Sequence, residues 1–407
     1  MGPIEVADPS ESRDSEGRIA VLEPNGESSG AAALLAPEAE RQTPLSPEAA
    51  PRRGRLLSLD VFRGIAVGGM LLVNNKALGP WTPSHLTHAG WNEGVHFADL
   101  VYPWFLLIVG VAIPFSSRTW LPLLPYLYEV LKRAAALVLL GCLVNSSYAR
   151  RPMFDLGVLQ LIGLAYLGGA LLYRVPLRPR LAIAAGLLVG HWALVRFLPI
   201  PGAGVGVFSR EQNAIAYLNQ AYLARWELEN LPAILTTTAL VVIGAGLGDL
   251  LRMESAGPRR KVGMLLAIGL GLFLAGWLWS VDVPLNKRLW TSPYILLTAG
   301  WGAALLGLLY FVVDARGFRA WVFPLVVMGR NAITAFVAPT LVNIYILGGW
   351  GWSLPGGRFE SLQEAWVKLF TGPLGAGLGG LLYTLSYLVA WWLVLFWMYR
   401  RKVFLRV

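Results

Sequence analysis

The chain has 407 residues, 56% of them hydrophobic and only 14% charged, with a formal net charge of +10. A mean hydropathy of +0.55 and repeated apolar runs of about 20 residues exclude a soluble globular core and describe an all-α, polytopic integral membrane protein. A single cysteine, Cys142, excludes an intrachain disulfide framework and a cysteine-rich metal site.

Residues 1–54 break the apolar pattern. They are rich in Glu, Pro, Ala, Ser and Gly, lack aromatics and hold no apolar run long enough for a signal-peptide core, which predicts a disordered, retained tail. The first 50 residues carry ten acids against three arginines, so the rest of the chain stands at +17. The sequence thus divides into an acidic tail, 1–54, and a transmembrane domain, 55–407.

Apolar windows predict about ten transmembrane helices, near residues 57–77, 97–116, 127–146, 156–173, 181–198, 231–251, 261–280, 292–313, 322–347 and 378–399. With the N-terminus cytoplasmic, the inward loops collect most of the loop arginines and lysines, including Arg259-Arg260-Lys261 and Arg400-Arg401-Lys402. That bias places both termini in the cytoplasm by the positive-inside rule, in what is expected to be the cell inner membrane. The connections 199–230 and 348–377 are long, and each holds an amphipathic stretch, Glu211–Glu229 and Glu360–Phe370, suited to capping an outward cavity. The basic residues lie beside spans, so nucleic acid is not an expected partner; the lipid bilayer is.

The chemistry concentrates between Arg55 and Ile113. The first span carries Asp60, Arg63, Asn74 and Asn75, the second carries Asp99, and the loop between them holds His85, His88 and His96, three of the four histidines. Ionisable groups inside apolar segments are costly and mark functional pathways. At about 100° per residue, Asp60, Arg63 and Asn74 share one helix face, with Arg63 and Asn74 about 16 Å apart along the axis. An extended anionic ligand can lie along such a face, an arginine on its phosphate and an amide on its carbonyl. An Asp60–Arg63 ion pair at i,i+3, fixing helix packing only, is the competing reading.

Three other features carry less. His85, His88, Glu93 and His96 permit a metal site only loosely, with no H-E-x-x-H or cysteine ligands beside them, and no metal is expected. Gly375, Gly377 and Gly380 satisfy G-x-G-x-x-G but open a membrane span, where close helix packing explains them. Arg330, inside the ninth span, reads as one half of a structural ion pair with Asp60, Asp99 or Asp155.

The blocks RLLSLDVFRGIAVGGMLLVNN, THAGWNEGVHFADLVYPWFLLIVGVAI, GVLQLIGLAYL, VPLNKRLWTSPYILLTAGW and FPLVVMGRNAITAF occur in that order. Together they resemble the transmembrane acyltransferase family of heparan-α-glucosaminide N-acetyltransferase and its bacterial relatives, from about Arg55 to the C-terminus. The resemblance implies a membrane enzyme that takes acetyl groups from cytosolic acetyl-CoA as cosubstrate. It passes them to the amine of a glucosamine-type amino-sugar acceptor across the membrane, and a homodimer is one admissible assembly.

By the same resemblance the family's catalytic histidine falls on His88, and the asparagine ending its first core span falls on Asn74. An imidazole can take the amine's proton near neutral pH, or accept the acetyl group itself, and an amide N–H can stabilise the oxyanion. Asp99 can orient His88, or cap the second span instead. Arg55 and Arg63 match the family's paired arginines and are expected to hold CoA phosphates; Asn286 and Ser292 are expected on the cofactor side of the acyl centre. Lys287 and Trp290 are expected to meet the acceptor. A secondary transporter of a sugar or organic anion would also bury Arg, Asp and Asn in its helices and is the alternative.

Overall fold

The structure, a computed structural model, describes residues 56–405; the expectations for the 1–54 tail and for Arg55 lie outside them. The regular structure of the described chain is helical apart from a two-stranded hairpin and two isolated β-bridges. Its helices are α1 (Leu57–Asn75), α2 (Phe97–Ala112), α3 (Leu123–Ala149), α4 (Val158–Tyr173), α5 (Leu177–Phe197), α6 (Ala214–Leu218), α7 (Ala233–Arg252), α8 (Pro258–Trp279), α9 (Ser292–Leu309), α10 (Phe323–Arg330), α11 (Ala332–Val342), α12 (Leu362–Leu374) and α13 (Gly380–Arg400). The hairpin pairs β1 (Gly351–Ser353) with β2 (Phe359–Ser361), antiparallel.

Every predicted window falls on a helix. Among the described residues, seven helical segments are long and apolar enough to cross a membrane, or eight if α10 and α11, bent by 75° where they meet, form one broken span. α4 is apolar yet has only 16 residues, about 24 Å against a hydrocarbon core of about 30 Å. The 27 residues of α3 include Glu129, Lys132 and Arg133, which interrupt its apolar run. The expected amphipathic helix at Glu211–Glu229 is instead broken into α6 and short 3-10 and π turns, whereas the Glu360–Phe370 stretch is met by α12.

Burial separates an inner group of spans from an outer one. The membrane-length windows of α1, α2, α7 and α9 are 67–72% buried inside the molecule, those of α5, α8 and the α12–α13 stretch 17–28%. Lipid is as apolar as leucine, so inner helices must associate by close packing rather than by the hydrophobic effect. Small residues permit it: a Cβ at Gly110 would meet the Val241 carbonyl and one at Gly244 the Leu107 carbonyl, so α2 and α7 touch backbone to backbone. α1 meets α10 in the same way, through Gly64 on Leu325 and Gly329 on Asp60.

Two distant contacts fix the ends of α1. The backbone N–H groups of Leu57 and Ser58 donate to the two carboxylate oxygens of Asp314, each at 3.1 Å, which satisfies donors that a helix start leaves free. At the other end the Ala77 N–H donates to the Thr384 hydroxyl of α13 at 3.2 Å. The histidine loop that follows is held by the 199–230 connection, because the Trp91 indole N–H and the Asn92 amide both donate to the Phe208 carbonyl, at 2.7 and 2.8 Å.

Candidate active site

The start of α2 organises the site. Asp99 is the third residue of that helix, and its Oδ2 accepts from the His96 and Ala89 N–H groups at 3.1 and 3.0 Å, capping the helix and pinning the loop beside it. Its Oδ1 lies 2.7 Å from His88 Nδ1. Asp99 therefore does both things that the sequence left as alternatives. It is 2% exposed, and three hydrogen bonds and an ion pair compensate that burial. With Nδ1–H donating to Asp99, the basic lone pair of His88 sits on Nε2.

Lys287, in the loop between α8 and α9, completes the cluster. Its Nζ stands 3.5 Å from Asp99 Oδ1, 3.2 Å from His88 Nδ1 and 3.4 Å from the Ala98 carbonyl. Burial lowers the Lys287 pKa from 10.5, and the Asp99 carboxylate opposes that shift. Placed against the carboxylate, Lys287 is part of the same cluster as the imidazole.

His88, Asp99 and Lys287 line a cavity of about 580 Å³ together with Asn74, Asn286, Trp290 and others, a size suited to a small ligand. Asn74 reaches it from the last turn of α1, and its side-chain amide has no hydrogen-bond partner among the described residues. Asn286 holds the turn before α9: its Oδ1 accepts from the Arg288 and Leu289 N–H groups at 2.8 and 3.1 Å, and its amide donates to Asn92 Oδ1 at 2.8 Å. That asparagine thus fixes the turn ahead of α9, whose own start has no side-chain cap, and its side chain still borders the cavity. Trp290 has a φ of 52°, unusual for so bulky a residue, and is wedged between Tyr102 and Tyr294 with ring centroids 5.1 and 6.1 Å away. It forms wall more than open platform, being 6% exposed.

Other expected residues lie elsewhere. The Ser292 hydroxyl donates to the Leu188 carbonyl of α5 at 2.6 Å, and Ser292 is not among the residues lining this cavity. Arg63 pairs with Asp60 at 3.3 Å, eleven residues down α1 from Asn74, and does not line it either. Arg330 makes no expected pair with Asp60, Asp99 or Asp155; its guanidinium lies over the rings of Tyr399 and Phe404, 5.2 and 5.9 Å from their centroids. His85 and His96 meet edge to face at 5.5 Å, and among the described residues no group of three or more His, Cys, Asp or Glu could hold a metal ion.

Sequence reasoning missed Tyr102, Arg288 and Asn230 on the cavity wall. Arg288 had a signal, its place in VPLNKRLW. Tyr102 had none beyond an aromatic in an apolar helix, though its hydroxyl ties α2 to α4 by donating to the Val158 carbonyl at 3.0 Å.

Comparison with known proteins bears on this arrangement. Residues 55–254 match the family model described as heparan-alpha-glucosaminide N-acetyltransferase, catalytic. That span includes Asn74, His88 and Asp99 but ends before Lys287. The human protein named heparan-alpha-glucosaminide N-acetyltransferase is 25% identical over 87% of this chain and 60% of its own length, and the mouse protein of that name is 24% identical over 76% and 58%. The chain thus spans about three fifths of the length of these curated relatives. The first three of the sequence blocks lie inside the family-model match and the last two beyond it, and the chain is similar both to that family model and to the two relatives of the same name.

Proposed function

We propose that residues 55–407 form an acyltransferase domain that passes an acetyl group from cytoplasmic acetyl-CoA to the amine of a glucosamine-type sugar on the outer side of the membrane. The observation that carries this reading is the imidazole of His88 held by the buried Asp99 in a cavity that the Asn74 amide also enters. Asp99 keeps the Nδ1–H tautomer, leaving His88 Nε2 to take the proton of the amine as its nitrogen attacks the thioester carbonyl. The Asn74 amide N–H donates to the oxygen on which charge develops. The new C–N bond then replaces the C–S bond, and His88 returns the proton to the departing thiolate. The same geometry permits His88 Nε2 to accept the acetyl group first, and mass spectrometry after incubation with acetyl-CoA alone separates the two routes.

Lys287 balances the Asp99 charge and stands where an acceptor would enter, with Trp290 as the wall behind it. On the donor side, Asn286 shapes the cavity edge, Ser292 acts by fixing the start of α9, and Arg55 and Arg63 hold phosphates at the cytoplasmic end of α1. Both termini are placed in the cytoplasm of an inner-membrane protein, and a homodimer is the proposed assembly. A cysteine placed in the loop 85–96 should then react with an impermeant maleimide from outside, and one near Arg259 should not; the reverse pattern would overturn the orientation alone.

The test of function is direct. Purified protein given labelled acetyl-CoA and glucosamine should yield N-acetylglucosamine and free CoA in equal amounts. No acetylation, together with sugar uptake into proteoliposomes that needs no coenzyme, would favour the transporter instead.

A further inference from the structure

A second cavity, of about 390 Å³, lies beside the first at the same end of the bundle, and the two share Met70, Asn74, Val158 and Phe336 as their common wall. Its chemistry is different. Whereas the first is lined by His88, Asp99, Lys287 and Arg288, among the described residues no charged side chain lines the second. Its polar lining is made of neutral groups from four helices: Asn75 of α1, Asn145 and Tyr148 of α3, Gln160 of α4, and Thr340 on α11 with Asn343 just beyond it.

Those amides are held in place by one another and by backbone. Asn343 donates to Asn75 Oδ1 at 2.8 Å, Asn75 donates to the Leu71 carbonyl at 3.1 Å, and Tyr387 donates to Asn343 Oδ1 at 3.4 Å. Asn145 and Gln160 donate to the carbonyls of Asp155 and Phe154, at 3.1 and 3.3 Å. A wall of fixed amides offers both donors and acceptors at low reorganisation cost, and Tyr148, 66% exposed, adds an aromatic face. Hydroxyl-rich rings match such a wall, with hydroxyls on the amides and C–H faces on the tyrosine. A sulfate or carboxylate entering here would lose water without gaining a cationic partner.

We infer that the amide-lined cavity is a subsite for an uncharged sugar adjoining the amine-bearing one, so that the acceptor is a neutral oligosaccharide spanning both cavities past Asn74. This rests on the acetyltransferase reading above. The same neutral amide and hydroxyl chemistry is present in the pantetheine arm of CoA, and the test must separate the two sources.

Binding to the purified full chain is measured by calorimetry for glucosamine, for a neutral disaccharide bearing glucosamine at its reacting end, and for the same disaccharide sulfated on the second sugar. Acetyl-CoA is titrated separately. The neutral disaccharide should bind better than glucosamine and better than its sulfated form. Tyr148→Ala and Thr340→Val should each shrink that advantage by on the order of five- to tenfold, the size of one neutral contact, and leave acetyl-CoA affinity unmoved. Tyr148 is exposed and Thr340→Val preserves shape, so the fold survives both. Equal binding of the three sugars would overturn the subsite, and so would variants that weaken acetyl-CoA instead, which would give the cavity to pantetheine. Binding as expected with no acetylation of any sugar would overturn the catalytic reading and leave the saccharide site standing.

Discussion

The two ends of α1 carry polar side chains on one helix face, and the fold treats them in opposite ways. At the Asp60–Arg63 end the carboxylate is buried and paired at 3.3 Å, the backbone touches α10 through Gly64 and Gly329, and Asp314 caps the first turn. At the Asn74 end the side chain has no partner among the described residues and stands where two cavities meet. A polar group in an apolar helix must find a partner or a wet cavity. What the difference teaches is that position on a face says little about role; the partner does.

The sharpest way to break that contrast is at its open end. Asn74→Ala should slow acetyl transfer by on the order of 10²–10³-fold, the loss seen for one oxyanion donor, with acetyl-CoA affinity kept. An unchanged rate would make Asn74 a bystander. Next comes the carboxylate that orients the imidazole: Asp99→Asn should cost about 10²-fold in kcat, the low end of what a positioned base supplies, with a smaller change in KM. Because Asp99 also caps α2, a drop of about 1 kcal/mol in stability should accompany it. A stability loss without a rate loss would leave only the cap.

Smaller effects belong to the closed end. If Arg63 leaves Asp60 for a CoA phosphate, Arg63→Ala should weaken CoA binding by about 1.5–3 kcal/mol, and lysine should rescue it only in part because it lacks the planar fork. Unchanged affinity in a folded variant would return Arg63 to the ion pair. Smallest of all, Asp314→Ala should lower thermal stability by about 1 kcal/mol and leave turnover per folded molecule as it was. A turnover loss there would show that the Asp314-capped end of α1 is coupled to the chemistry after all.

Much of this organisation was legible in the sequence, for identifiable reasons. Helix existence followed from apolar runs, and the polar face of α1 from its 3.6-residue period. Asp99 and Asn74 stood out because they lie in apolar segments that have little reason to carry them, whereas His88 was separated from His85 and His96 only by the family resemblance. Their association with Lys287 was not readable from spacing, since nearly 200 residues separate the lysine from the histidine. Only the shared family blocks hinted at it. Arg330 was misassigned because its partners are rings at the C-terminus rather than carboxylates, a contact that only the fold creates. The windows on α3 and α4 meet helices that are less clearly membrane-length and apolar, because α3 carries charge and α4 runs short. The amide cavity was not readable as a site, because its neutral side chains come from four helices and only Asn74 and Asn75 stood out in their own segment.

The account rests most heavily on the imidazole beside Asp99. His88→Ala, assayed for acetyl transfer from acetyl-CoA to glucosamine with acetyl-CoA binding measured calorimetrically on the same preparation, tests it most directly. Transfer should be abolished while acetyl-CoA binding stays nearly intact. Normal acetylation by the variant would contradict the account and reduce His88 to a loop residue hydrogen-bonded to a helix cap.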